Sequence, residues 1–420
     1  MCETSSPGSS HSHPLNPLVA IIEEIFVDTL LPIARNSQSR RRFLAGTAGA
    51  LGALSVPGSL LAVQAPVKDE KKQLEDAIDK GLDWLKQSQK PDGHWEGNNG
   101  AYPTAMSALA GMALLMEGSN LKEGKYSEQI SKAVDWFLTK GQQPNGLLGF
   151  NQGGNFGSYM HGHGFATMFL ASAYGEAEDK EQQQKLEKAI KKAVDFIGKA
   201  QIIRKHATGD GKTVTIGGWG YTSAAENGGG DEGSITVTQL QALRAARNSG
   251  IAVSKETLDQ AVAFLEACTT PAGGLIYSYG GGGRAMNGQE RPPITAAAVT
   301  CSFSAGQYKG DLAKKWIKFA KEKIPFAKGR IAHDEYQSYY FSQFVYVLGD
   351  DRYGAMFPNE DKSTWLTWSK YKEAMYPYLI GQQDKNSGAW TSGYIGPVYT
   401  TAINLTILQL EKGILPIYQR

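Results

Sequence analysis

Lys80-Gly81-Leu82-Asp83-Trp84-Leu85-Lys86-Gln87-Ser88-Gln89-Lys90-Pro91-Asp92-Gly93-His94-Trp95 decides how this chain is read. Its first half has the spacing of an amphipathic helix, and its second half is a turn rich in Gly and Pro that ends on an indole. A Gln amide can donate and accept at a helix end, and an indole offers a broad packing face. The pattern does not stop there. From about Lys71 onward, charged amphipathic segments alternate with segments that are apolar on most faces. The amphipathic ones carry an aromatic at a comparable point: Trp84, Trp136, Phe196, Phe264, Phe319 and Tyr378, at spacings of 52, 60, 68, 55 and 59 residues. The apolar ones, rich in small residues, run over 104–116, 163–173, 234–246, 294–305, 339–348 and 399–410.

A helix with one apolar stripe faces water on its other side, whereas one that is apolar nearly all round is enclosed. Six outer and six inner helices, connected out-in-out-in, therefore predict an all-α double ring of about six helical hairpins over residues 71–420. No hairpin buries its apolar face alone, so stacking must supply the core. The last apolar segment is as apolar as the first, which favours a closed ring over an open solenoid with polar ends.

The quoted stretch fits the repeat of the terpene cyclases: basic-Gly, aromatic-aliphatic, then Gln-x-x-x-Gly-x-Trp. Weaker copies recur. Gln142 to Gly146 keeps Gln and Gly but has Leu148 for Trp; Tyr378-Leu379 leads to Gln383, Gly388 and Trp390 with one residue inserted. Gly217-Gly218-Trp219 and Gly273-Gly274-Leu275 keep only the loop. The chain thus resembles the terpene cyclase and protein prenyltransferase superfamily, whose fold is the α/α toroid. It also resembles bacterial exported prenyltransferase and squalene-oxidase repeat proteins, through Gly162-His163-Gly164, Thr238 to Arg247 and the ending Leu415 to Arg420. In this resemblance the Gln and Trp tie neighbouring hairpins together and have no catalytic role.

The chemistry that often accompanies the repeat is missing. No Asp-x-Asp-Asp acid is present; Asp231-Glu232 and Asp350-Asp351 are the nearest carboxylate pairs. The zinc set of the prenyltransferases needs Asp two residues before Cys, and Cys301 has Val299 there. A thioester Cys-Gly-Glu-Gln is likewise absent. The sequence thus calls for no cofactor and no metal. Of the three cysteines, Cys268 and Cys301 read either as one disulfide or as two buried small residues.

What remains is the ring centre. The N-termini of the inner helices should converge at one mouth, with unpaired N–H groups and partial positive charge that suit an anionic group. Residues expected near it include His161, His163, Asp231, Glu232, His333, Asp334, Glu335, Tyr336, Tyr339, Tyr340 and Tyr399, with Trp219, Tyr221, Tyr277 and Tyr279 in the approaching loops and Arg284 and Arg291 on a Gly-rich loop. We assign His163, Asp231, Asp334 and Tyr340 as catalytic candidates. Trp219, Tyr277, Arg284, Tyr336, Tyr339 and Tyr399 are ligand-binding candidates. Three functions compete: a protein binding or transforming a small isoprenoid-like or anionic ligand in a central funnel; a non-catalytic scaffold for a protein partner; and a polysaccharide lyase or hydrolase acting on a glycan.

Lys plus Arg total 43 against 41 Asp plus Glu, a net charge of +2, which excludes a nucleic-acid footprint. Ser39-Arg40-Arg41-Arg42-Phe43-Leu44 matches the twin-arginine export pattern, and the weakly apolar stretch behind it makes 39–65 a signal segment. Residues 1–38 read as a dispensable extension. A periplasmic or envelope location is expected, with membrane attachment only if the segment is retained.

Overall fold

The computed structural model describes residues 67–149, 158–175, 179–227, 230–279, 289–304, 310–326 and 334–419. The stretch 39–65 expected to be a signal segment, Arg284 and His333 lie outside them. Residues Lys72–Arg420 form one compact unit, which builds the ring.

The outer helices are α1 (Val67–Ser88), α3 (Ser127–Trp136, continued by a π turn Phe137–Gly141), α5 (Lys180–Ala200), α8 (Lys255–Ala267), α10 (Asp311–Lys323) and α13 (Trp368–Gly381). The inner helices are α2 (Pro103–Glu117), α4 (Met160–Tyr174), α7 (Gly233–Asn248), α9 (Pro292–Ser304), α11 (Asp334–Leu348) and α14 (Pro397–Gln409). Two short helices, α6 (Ala224–Asn227) and α12 (Arg352–Met356), sit in connections. All six periodic aromatics fall on outer helices, and each apolar segment becomes an inner helix.

Starts differ between the two rings. Asp179, Ser254 and Thr367 cap α5, α8 and α13 by accepting from the N–H groups of Gln182, Thr257 and Lys370. Inner helices α2, α9 and α14 open on proline, whose missing N–H costs nothing in a first turn. Each inner helix packs on two others in the order α2, α4, α7, α9, α11, α14 and back to α2. The ring is closed. Close approach depends on missing side chains: a Cβ on Gly111 of α2 would lie 2.4 Å from the Phe169 ring of α4.

The repeat stretch shows how hairpins join. Gln89 Nε2 donates to Gly93 O (2.8 Å) in its own turn and to Gln129 O (2.9 Å) of the next outer helix. Trp95 Nε1 donates back to Leu85 O (2.8 Å), while its backbone N–H reaches Ser107 Oγ of the inner helix (2.9 Å). Gly93, at φ 103°, lies so close to α3 that a Cβ would be 2.3 Å from Lys132 O. The same joint recurs at Gln142, bonded to Ala189 O, and at Gln383, bonded to Ala77 O of the first helix (both 2.8 Å). That last bond joins the end of the ring to its beginning.

One copy is split. Gln201 Nε2 donates to Gly217 O and to Thr257 O, both at 3.0 Å, and Trp219 repeats the indole bond to Ile197 O (2.8 Å). Between Gln201 and Gly217 stands a hairpin, β1 (Ile202–Ala207) antiparallel to β2 (Thr213–Gly218), with Ile202 opposite Gly218. The third unit therefore has the full motif in space. No helix among the described residues is long and apolar enough to cross a membrane.

Candidate active site

The inner N-termini do converge, and aromatic side chains meet across the axis there, in a cluster we call the cup. From α4, the His161 ring meets Tyr336 of α11, on the opposite side of the ring, at 6.5 Å between centroids. One turn deeper Phe165 meets Tyr339 across the same axis at 6.3 Å. Below that the axis is crossed by Thr238–Tyr340 (3.3 Å) and Gln241–Gln343 (2.8 Å) hydrogen bonds from α7 to α11. The C-terminal turn Pro416–Tyr418 packs against α7, and its Tyr418 hydroxyl bonds that of Tyr339 at 2.7 Å. The far end is filled.

Two groups in the cup stand out. His161 is half-buried, stacked on Phe165 and edge-on to Tyr221, and its Nε2 is shielded from water with no protein partner. Burial pushes this imidazole down to about 4, opposed by a hydrogen bond to the Ser234 backbone, so it is neutral at pH 7. Glu232, the residue before α7, holds its backbone by donating from N–H to Trp219 O (2.8 Å), and its Oε2 is also buried without a protein partner. Burial raises the Glu232 carboxyl above the ordinary carboxylate range; the Tyr277 and Tyr221 phenols oppose the shift, and the negative Asp231 adds to it. Those phenols share a 2.6 Å hydrogen bond, and the Arg291 guanidinium lies over the Tyr277 ring at 5.7 Å. Burial pushes Tyr221 up to about 12.

The structure brings Tyr277 and Tyr336 into this cup and places Tyr399, half-buried, at the start of α14. Asp334 begins α11, and its side chain lies outside the described set. Five assigned residues serve elsewhere. His163 is fully buried: its Nδ1 accepts from Leu148 N–H (2.9 Å), and Nε2 lies 3.2 Å from Ala193 O. It stands where Ser107, Thr236, Thr295 and Thr401 receive the motif N–H in other units; of the two units with Leu in place of Trp, the one at Leu148 uses a histidine as its tie and the one at Leu275 keeps a threonine. With Nδ1 accepting, Nε2 carries the proton, and neither nitrogen is left for a ligand. Asp231 is buried and accepts from Arg204 Nε (2.6 Å), Ser278 Oγ (3.1 Å) and Tyr279 N–H (2.9 Å). It fastens the hairpin to the loop before α9. Tyr339 and Tyr340 are interior residues, and Trp219 is a motif indole. Cys268 and Cys301 are buried free thiols, raised by burial.

His161, Glu232, Tyr221 and Arg291 stand around the cup instead. The sequence placed all four near the mouth without a role. Extended backbone turns Asp231 and Glu232 to opposite sides, and two helical steps turn His161 and His163 apart.

A type II terpene cyclase, MstE from Scytonema, superposes with a TM-score of 0.50 at 14% identity, over 82% of this chain and 99% of that one. A D-mannose isomerase gives 0.55 at 12%, over 82% and 99%, and a GH76 α-1,6-mannanase from Salegentibacter gives 0.56 at 9%, over 81% and 99%. The fold is an α/α toroid. No family profile and no curated protein matches the chain, and likeness at these identities concerns the fold alone.

Proposed function

We propose that the toroid binds a small molecule in the cup and moves a proton on it, with Glu232 as donor and neutral His161 as acceptor. One observation carries this reading: Glu232 Oε2 and His161 Nε2 are both water-shielded and unpartnered within one aromatic cup. Burying such groups without a partner costs roughly 1–3 kcal/mol each, a cost that a bound ligand's polar groups remove. The directions of the shifts suit the task, since burial favours the protonated form of Glu232 and an imidazole near 4 keeps a lone pair to take a proton. Ligand complexes of toroids, MstE with geranylgeranyl dihydroxybenzoate and the mannanase with α-1,6-mannotriose, support a ligand site on this fold. A scaffold role has less support: among the described residues only four large hydrophobics, Tyr102, Ile203, Tyr394 and Ile414, are exposed.

The test is incubation of the full chain in D2O with neutral sugars, uronates and prenyl alcohols, reading deuterium uptake by mass spectrometry. Exchange into one class is expected, slowed about 100-fold or more by Glu232→Gln. Equal exchange by the variant, or none with any class, overturns the proposal.

A further inference from the structure

The rim of the cup has features that the proton-transfer reading does not use. A ligand longer than the cup cannot run down the axis, because Phe165 and Tyr339 meet there and polar bonds fill the levels below. It has to extend outward across the rim.

Two tyrosines stand on that rim. Tyr394 is 83% exposed, yet the backbone beneath it is fixed. Asn98 donates from Nδ2 to Tyr394 O (3.1 Å) and from its backbone N–H to Ile395 O (2.8 Å), between turns at Gly393 (φ 91°) and Gly396 (φ 123°). Glu335, the neighbour of Tyr336 on α11, lies against Gly393, which puts the platform beside the cup. Tyr102, 37% exposed, precedes α2 in the left-handed region at φ 53°, ψ 44°. Among the described residues the non-glycine positions with positive φ are Tyr102 and Asn99 (φ 57°), both in this segment. Each such conformation is strained for a residue that carries a side chain.

Flat aromatic faces in water, bordered by the exposed amides Asn98 and Asn99, match the apolar face and edge hydroxyls of a pyranose ring. A hydrocarbon tail would gain little on so wet a surface, and Glu335, packed close to Gly393, makes the rim unfavourable to an anionic chain. We infer that the rim is a second subsite, and that the ligand is a neutral oligosaccharide with one unit in the cup and the next stacked on Tyr394, flanked by Tyr102. The inference rests on the cup being a ligand site and names the class that occupies it.

Titration calorimetry on the full chain, with neutral gluco- and manno-oligosaccharides of one to four units, tests it. Geranylgeraniol and a trigalacturonate serve as controls. Affinity for the preferred series should rise at least tenfold from one unit to two or three. Tyr394→Ala should remove that gain and leave monosaccharide affinity unchanged; Tyr102→Gly, which relieves the backbone, should weaken only the longer sugars. Equal affinity for one and three units, or a gain that survives Tyr394→Ala, overturns the rim subsite. Tighter binding of geranylgeraniol or the uronate overturns the ligand class, while the proton-transfer reading stands if Glu232→Gln still abolishes deuterium uptake. No binding of any probe by folded protein overturns both.

Discussion

His163 and His161 lie two positions apart on α4 and differ in every contact. The first ties Leu148 to Ala193; the second faces Tyr221 and Tyr336 in the cup. Both are held near 4 by burial, whereas a histidine in the unfolded chain titrates near 6.5. Between about pH 4 and 6.5 the unfolded state therefore binds more protons, so stability is full above 6.5 and falls as the pH drops through that window. For fully buried His163 the loss at pH 5 is about 2 kcal/mol. Urea unfolding of wild type and His163→Gln at pH 7 and pH 5 checks this. The variant should be less stable at pH 7 and show a smaller drop to pH 5. An unchanged drop would mean that His163 is not the neutral, buried tie described above. The same pairing explains why the site was only half legible. A sequence shows which residues crowd the mouth, but a one- or two-residue phase decides which of Asp231 and Glu232, or His161 and His163, faces the ligand, and no periodicity fixes that phase at a helix entry.

At the scale of elements, the helices were legible because burial on one face or on all faces leaves a direct trace in composition. The joints were legible only where the motif is contiguous. The third showed only its loop because β1 and β2 separate Gln201 from Gly217, and the second showed its Gln and Gly while the tie at His163 stayed hidden. What the glycine of the joint contributes can be isolated. Gly93 (φ 103°) and Gly250 (φ 87°) share the left-handed region, but a Cβ at Gly93 would meet Lys132 O at 2.3 Å, and one at Gly250 would meet nothing within 4 Å. Gly250→Ala should cost about 1 kcal/mol, from backbone conformation alone. Gly93→Ala adds a clash with a neighbouring helix backbone and should cost about 3 kcal/mol or more. Equal losses in thermal or urea unfolding would mean that hairpins are not held at contact distance by this position.

For the whole molecule, closure makes the last joint equivalent to the first. Gln383 bonds Ala77 O as Gln89 bonds Gln129 O; a Cβ at Gly388 would lie 2.7 Å from Lys80 O; and Gln409 Nε2 reaches Ala113 O at 3.1 Å. In an open array each repeat leans only on its neighbours, so a terminal joint guards little and frays first. In a closed ring no joint is terminal, and opening any one removes support from both sides. Gln383→Ala and Gln89→Ala should then destabilise by similar amounts, each about 1–3 kcal/mol for an amide that bridges two buried carbonyls. Both should keep a single unfolding transition by circular dichroism and tryptophan fluorescence alike. A Gln383→Ala variant with a smaller loss, or with an early transition seen only by Trp390, would describe an open array instead. Closure also bears on function, because the cup draws Glu232 from α7, His161 from α4 and Tyr336 from α11. These helices are not all neighbours, and only a ring closed by the Gln383 joint holds them at fixed distances across the axis.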